Sequence, residues 1–218
     1  MNDFFTELQN LFLHIYHLDF EWLFTNYNTT IYYILFAVIF IETGLVIWPF
    51  LPGDSLLFTA GLFARAGYLD ISLVITLLFI AAVLGDNSNY FIGRKLGLKV
   101  LKWKFKGKVV VKQKYLDETH LFFERYGPKA IILARFVPIV RTFTPFVAGI
   151  AEMKYKTFFL FDLLGGFIWI FSLTIAGYLL GNFEIIRKNI ETVALIIVFI
   201  SVLPIIIELI RKKFAKAS

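Results

Sequence analysis

Two polar segments interrupt an otherwise apolar chain, and each carries charges of a single sign. The first segment holds Glu42 and Asp54, and the second holds Arg135 and Arg141. A charged side chain at bilayer depth costs several kcal/mol, and it is retained where it pairs with an opposite charge or serves transport. We therefore expect the two segments to face each other.

Two arginines in a dry site suit the recognition of a phosphate group. A guanidinium stays charged there, and its planar fork of N–H donors can hold phosphate oxygens bidentately. This chemistry assigns Arg135 and Arg141 as phosphate ligands. Glu42 and Asp54 are then counter-charges that must release the arginines or take up a proton when phosphate arrives. The alternative is that these four residues form static ion pairs that clamp the protein.

Proline and glycine break the helices at both charged segments. Pro49, Pro52 and Gly53 interrupt the first segment, and Pro138 and Pro145 interrupt the second. Irregular backbone at membrane depth is tolerated only where it is packed in protein or lines a wet cavity. The breaks are therefore predicted to be the tips of two helical hairpins.

The composition is that of an integral membrane protein. The chain has 218 residues, of which 59% are hydrophobic and 17% charged, and its mean hydropathy is +0.75. The absence of cysteine excludes disulfides and thiolate metal sites, and three histidines are too few to suggest a metal centre. We expect no metal and no cofactor.

Basic residues set the expected orientation. The stretch between Asn87 and Leu116 has nine lysines and arginines and no acid, and the C-terminal tail is also basic. By the positive-inside rule both regions are cytoplasmic. The alternative role for the first stretch is capture of anionic lipid. The prediction is a multi-pass protein with a cytoplasmic C-terminus.

The lengths of the apolar runs predict an all-α integral membrane fold, an inverted repeat with two opposed re-entrant helical hairpins plus spanning helices. A transport core is expected over 29–181. The predicted segments are an amphipathic interfacial segment at 1–28, a first hairpin at about 31–69, a spanning helix at 71–93, a basic cytoplasmic segment at 94–127, a second hairpin at 128–152, a spanning helix at 157–180, and a C-terminal spanning helix with a basic tail at 191–218.

The repeat is visible as matched motifs. Pro52, Asp54 and Ala60-Gly61, followed by Gly93 and Gly97, are echoed by a second series with similar spacing. That second series is Pro138, Arg141 and Ala148-Gly149, followed by Gly177 and Gly181. Asp86 and Asp162 lie in the two predicted spanning helices, where each either relays protons or pairs with a basic neighbour.

Several of these motifs together resemble the DedA family, whose shared region is called the VTT domain. The resemblance covers roughly Ile31 to Gly181, and the second break departs from the family's frequent glycine at Ile139 or Val140. The motifs are Phe40-Ile41-Glu42-Thr43, Pro52-Gly53-Asp54-Ser55, Gly85-Asp86, Tyr90-Phe91-Ile92-Gly93-Arg94, Tyr126-Gly127-Pro128-Lys129, Arg135-Phe136-Val137-Pro138-Ile139-Val140-Arg141-Thr142, Ala148-Gly149 and Gly165-Gly166 with Trp169.

This resemblance implies a bacterial inner-membrane protein that moves lipids between leaflets. For bacterial members the implied substrate is undecaprenyl phosphate, with proton dependence often proposed. Carried over by position, the functional set is Glu42, Asp54, Arg135 and Arg141. The family also includes eukaryotic phospholipid scramblases, so general phospholipid scrambling is the nearest alternative.

Two further alternatives belong to other classes. A proton-coupled cation antiporter would use Glu42 and Asp54 as ion ligands. A membrane lipid-phosphate phosphatase would need a nucleophile such as Ser55 or Thr59. Because no serine-rich motif adjoins the arginines and no histidine is placed as a base, we expect a transporter and not an enzyme. The expected partners are the bilayer, an anionic lipid phosphate and protons, with no nucleic acid; the oligomeric state stays open.

Overall fold

The computed structural model describes residues 20–45, 53–101, 104–105, 108–109, 113–190, 192–197, 199 and 203. These residues are almost entirely helical. The helices are α1 Phe20–Gly44, α2 Gly53–Arg65, α3 Ile71–Leu101, α4 Gln113–Tyr126, α5 Ala130–Ala134, α6 Pro138–Ile150, α7 Tyr155–Leu180 and α8 Glu184–Lys188. A two-residue antiparallel ladder joins β1 (Lys104–Phe105) to β2 (Lys108–Val109), a small departure from the all-α expectation. Residues 192–197 are also helical.

Two of these helices are long and apolar enough to cross a membrane, over Ile71–Gly97 and Tyr155–Leu180. They include the two segments predicted to span, 71–93 and 157–180. Large apolar side chains are exposed along both, among them Leu73, Leu84 and Leu164. The buried set, by contrast, includes Asp86 and Asp162. Exposed apolar side chains together with buried charged groups are the arrangement expected where lipid is the solvent.

The chain forms two compact units. The terminal unit contains Met1–Leu35, Asp54–Val74 and Leu173–Ser218. The central unit contains Phe36–Gly53 and Ile75–Ser172.

In the terminal unit, α2 and α7 touch main chain to main chain. A Cβ atom on Gly61 would overlap the carbonyl oxygen of Thr174 and lie close to the amide of Tyr178. A Cβ atom on Gly177 would overlap the carbonyl oxygen of Phe58. Small residues permit such close approach of membrane helices, so these glycines fix where the two helices cross.

In the central unit, α3 and α6 cross in the same manner. A Cβ atom on Gly149 would overlap the carbonyl oxygen of Tyr90 and approach the amide of Arg94, and one on Gly93 would overlap the carbonyl oxygen of Phe146. Beside the crossing, the hydroxyl of Tyr90 donates to the carbonyl of Met153 at 2.5 Å.

The two crossings correspond residue by residue. Gly61 contacts Thr174 and Tyr178, which lie three residues before and one residue after Gly177. Gly149 contacts Tyr90 and Arg94, which lie at the same positions relative to Gly93. In the opposite direction, Gly177 meets the residue three before Gly61, and Gly93 meets the residue three before Gly149. These are the glycines that the sequence matched as a repeat.

The second helical break lies just before Pro138, one of the two prolines that the sequence assigned to it. α5 ends at Ala134 and α6 begins at Pro138. Proline fixes a helical φ and lacks the N–H that a first helical residue does not need, and it keeps the preceding residue extended. Val137 accordingly has φ −117° and ψ 103°. Arg135 is therefore at the break, and Arg141 lies in the first turn of α6.

The two terminal segments fall largely outside the described residues. Of the predicted interfacial segment 1–28, only 20–28 is described, and it forms the start of α1, which is kinked at Tyr27. Most of the predicted C-terminal span at 191–218 also lies outside them. In the basic segment 94–127, α3 continues to Leu101 before the short ladder and α4.

Candidate functional site

Arg135 is held between two aspartates inside the central unit. Its Nη2 donates to Asp86 Oδ2 at 2.5 Å and to Asp162 Oδ1 at 2.6 Å. Only 4% of the Arg135 side chain is exposed. The sequence had assigned Glu42 and Asp54 as its counter-charges, but α3 and α7 bring different acids to it. The secondary candidates Asp86 and Asp162 are thus its ion-pair partners.

Two adjacent glycines make room for this guanidinium. A Cβ atom on Gly165 would lie 3.2 Å from Arg135 Cδ and Nε, and one on Gly166 would lie 3.4 Å from Nη2. They stand three and four residues after Asp162 on the same face of α7. This face of α7 therefore supplies both the acid and the space.

Arg141 pairs with Glu42, one of the two acids that the sequence assigned as counter-charges to the arginines. Arg141 Nη2 donates to Glu42 Oε1 at 2.7 Å, and 10% and 4% of the two side chains are exposed. A Cβ atom on Gly53 would overlap the Glu42 carboxylate. The Glu42 carboxylate therefore lies against the first residue of α2, where a helix end attracts negative charge.

A single indole ring contacts both guanidiniums. Arg141 Cζ lies 4.7 Å from the centroid of Trp169, and Arg135 Cζ lies 5.7 Å from the same ring. Trp169 is 1% exposed. Tryptophan is the most favourable ring for a cation, with a contribution of about 2 kcal/mol when the pair is desolvated. Trp169 therefore fixes the two positive charges close to each other.

Asn89 connects α1 and α6. Its Nδ2 donates to the carbonyl of Thr43 at 3.1 Å and to the carbonyl of Thr142 at 3.0 Å. Thr43 is one residue before the end of α1, and Thr142 follows Arg141. Asn89 thereby holds the two segments that carry Glu42 and Arg141 at a fixed separation.

Part of Arg135 has no acceptor. Its Nε and Nη1 are buried and have no hydrogen-bond partner among the described residues. A cavity of about 10 Å³, roughly the volume of one water molecule, is lined by Arg135 and Arg141. The other lining residues are Asp86, Ile131, Ala134, Thr144, Pro145 and Asp162. The guanidinium can thus donate hydrogen bonds to further oxygen ligands, but only after the site widens.

The other predicted site residues have different outcomes. Asp54 is exposed in the first turn of α2, and Gly53 begins that helix, as a hairpin tip requires. Pro49 and Pro52 lie outside the described residues. Pro145 does not break a hairpin, because α6 runs through it. A proline inside a membrane helix removes one hydrogen bond, and neighbouring groups can satisfy the carbonyl it releases.

The sequence analysis did not single out Asn89 or Trp169 as site residues. The spacing of these residues from the buried acids could have identified them. Asp162, Gly165-Gly166 and Trp169 recur at helical intervals on one face of α7, and Asp86, Asn89 and Gly93 do so on α3. Among the described residues, no group of three or more acids and histidines could hold a metal ion.

Comparison with known proteins identifies the family. The VTT domain model matches residues 51–179, which include both arginines. Protein DedA of Escherichia coli is 45% identical over 193 residues, or 88% of this chain and 87% of that protein. An uncharacterized membrane protein of Mycobacterium leprae is 46% identical over 171 residues, or 78% of this chain and 76% of that protein. Inner membrane protein YghB of Escherichia coli is 35% identical over 179 residues, or 81% of this chain and 78% of that protein.

No solved structure matches the chain. The domain match nevertheless covers more than half of its length, and the relatives align over most of theirs. With two apolar helices of membrane-spanning length around a buried charged cluster, the chain is a membrane protein that belongs to the DedA family.

Proposed function

We propose that this protein is a lipid flippase that carries undecaprenyl phosphate between the leaflets of the bacterial inner membrane. The observation that carries the proposal is the pair of arginines over Trp169. A membrane protein that buries two guanidiniums together has a site suited to an anion. A lipid phosphate is the anion that such a protein meets within the bilayer.

The carboxylates act as internal substitutes for the phosphate. Glu42 forms an ion pair with Arg141, and Asp86 and Asp162 both form ion pairs with Nη2 of Arg135. An arriving phosphate can bind Arg135 through Nε or Nη1 before either aspartate leaves. Arg135 therefore keeps an anionic partner at each stage, which avoids the penalty of a buried unpaired cation.

The site must open for this exchange. A cavity of about 10 Å³ holds no more than a water molecule, so a phosphate group requires the surrounding helices to separate. The break between α5 and α6 is a place where the chain can bend. We infer alternating access in which the two hairpins open to opposite sides of the membrane.

The matched glycine crossings support an inverted repeat. Equivalent glycines make equivalent contacts in α2 with α7 and in α6 with α3. Together with the basic stretch after α3, this agrees with a multi-pass topology in which that stretch and the C-terminus are cytoplasmic. The name of the relative YghB places that protein in the inner membrane.

General phospholipid scrambling is the closest alternative, because the site recognises phosphate and not the lipid tail. A cation antiporter would leave the arginines with no task beyond counter-charge. For a phosphatase, the candidate nucleophiles Ser55 and Thr59 are buried, whereas the described histidine, His120, is exposed beside Glu124. We therefore propose a transporter and not an enzyme.

The test is translocation in reconstituted vesicles. Purified protein should move a fluorescent polyprenyl phosphate between leaflets and should release no inorganic phosphate. Arg135→Lys and Arg141→Lys keep the charge but lose the fork, so we expect translocation to fall at least tenfold. Arg125→Lys, on the exposed face of α4, is the matched control. Equal movement of polyprenyl phosphate and ordinary phospholipids would support scrambling, and full activity of both lysine variants would reject phosphate binding by these arginines.

A further inference from the structure

Arg135 has one more carboxylate than its charge requires. Asp86 Oδ2 and Asp162 Oδ1 both contact the same nitrogen, Nη2, at 2.5 and 2.6 Å. Two carboxylates that contact one nitrogen atom are close neighbours. Like charges at such a separation disfavour the charged form of one of them, so one of the two is expected to carry a proton.

The charge count of the central unit leads to the same point. Its buried cluster has three acids, Glu42, Asp86 and Asp162, and two cations, Arg135 and Arg141. Glu42 pairs with Arg141, so among these five groups the surplus negative charge belongs to the aspartates. Arg94, Lys129 and Lys154 of this unit are exposed. A surplus charge in a buried site is costly, and one proton removes it.

We propose that Asp86 and Asp162 together hold one proton, shared between them against Arg135, and that this pair is the proton-binding site of the protein. The assignment differs from the expectation that Glu42 and Asp54 exchange the proton. The charged groups that face the pair are Arg135 and, farther away, Arg141 with its partner Glu42. The proton comes from water when the site is open.

A link to transport follows, and this link rests on the proposed flippase function. When a phosphate oxygen takes the place of one aspartate on Arg135, the displaced carboxylate loses its positive neighbour and binds a second proton. Lipid binding would then draw in a proton, and lipid release would return it. The shared proton itself is present without any lipid, so it can be tested separately.

Infrared spectroscopy of the purified protein in vesicles tests the proposal directly. At pH 7 and without substrate, we expect the carbonyl band of a protonated carboxylic acid, shifted by labelling aspartate with carbon-13 at the side-chain carboxyl. The band should disappear in Asp86→Asn and in Asp162→Asn. It should persist in Glu42→Gln, in Asp54→Asn and in the exposed control Asp117→Asn. Absence of the band in the native protein, or its loss in Glu42→Gln, would overturn the proposal.

Thermal unfolding supplies a second readout that does not depend on spectroscopic assignment. An amide resembles a protonated acid, so each single asparagine variant leaves one carboxylate for Arg135 and should unfold near the native temperature. The double variant Asp86→Asn/Asp162→Asn leaves no carboxylate and should unfold at a clearly lower temperature than either. Single variants as unstable as the double would contradict a shared proton. A native protein with the band but without lipid translocation would instead reject the flippase function and retain the proton site.

Discussion

Arg141 Nη2 donates a 2.7 Å hydrogen bond to Glu42 Oε1, so one ion pair joins the end of α1 to the first turn of α6. The two residues are 99 positions apart in the chain. The pair is at least nine-tenths buried on both sides. The presence of this ion pair therefore shows whether the end of α1 and the start of α6 are packed together.

Removing either half of this pair should destabilise the protein more than removing both. Glu42→Gln takes the charge from Arg141, and loss of one partner of a buried ion pair costs about 3–5 kcal/mol. The double variant Glu42→Gln/Arg141→Gln removes both charges, so its loss of stability should be smaller than the sum of the single losses. Thermal unfolding in lipid vesicles measures this. Additive losses would mean that the contact contributes no coupling.

Asn89→Leu should weaken the connection between α1 and α6. The change leaves the carbonyls of Thr43 and Thr142 without their shared donor, at a cost of about 1–3 kcal/mol for each buried group. Unfolding temperature should fall, and trypsin should cleave between residues 102 and 112 more readily. The control is Ser88→Ala, whose exposed hydroxyl bonds only to Leu84 of its own helix. Equal behaviour of the two variants would show that the Asn89 contacts carry no stability.

Replacing a glycine by alanine should lower or preserve the stability of the protein, depending on how close the neighbouring atoms lie. Gly93→Ala should destabilise, because the new Cβ atom would overlap the carbonyl of Phe146. Gly166→Ala meets its nearest atoms at 3.4 Å, an ordinary contact, and alanine favours a helix by about 1 kcal/mol over glycine. We expect Gly166→Ala to be neutral or stabilising. Both measurements use chemical unfolding in the same detergent, and equal effects would contradict the crossing geometry.

The orientation can be tested with single cysteines in this cysteine-free chain. Asp117→Cys on α4 and Asn182→Cys in the turn after α7 are both exposed positions. A membrane-impermeant maleimide added to intact spheroplasts should label Asn182→Cys and not Asp117→Cys. In inverted vesicles the pattern should reverse. Labelling of both from the same side would remove the proposed topology and with it the inverted repeat.

The sequence was sufficient for the elements that depend on local composition. Long apolar runs predicted the spans at 71–93 and 157–180, and α3 and α7 contain them. Proline and glycine predicted two breaks, and α2 begins at Gly53 and α6 at Pro138, because a proline suits the first position of a helix. Charge sign predicted that Glu42 would face the arginines, but not which arginine it would pair with.

The partners of Arg135 could not be predicted in this way. Several acids of suitable depth were available, and the choice among them depends on how closely α3 and α7 approach. The guanidinium also needs the space beside Gly165, where a Cβ atom would lie 3.2 Å from Arg135 Cδ and Nε. Trp169 was quoted only as part of a motif, because an aromatic residue in an apolar helix has no distinguishing pattern until its charged neighbours are known.

The glycine crossings constrain how α2 and α6 can move. At each crossing a carbonyl oxygen rests against a glycine Cα, and no side chain lies between them that could change rotamer and absorb a displacement. Either helix can therefore tilt about its crossing, but it cannot move away without losing the contact entirely. A small tilt of α6 about Gly149 then produces a larger displacement of Arg141, which lies about two turns along the helix.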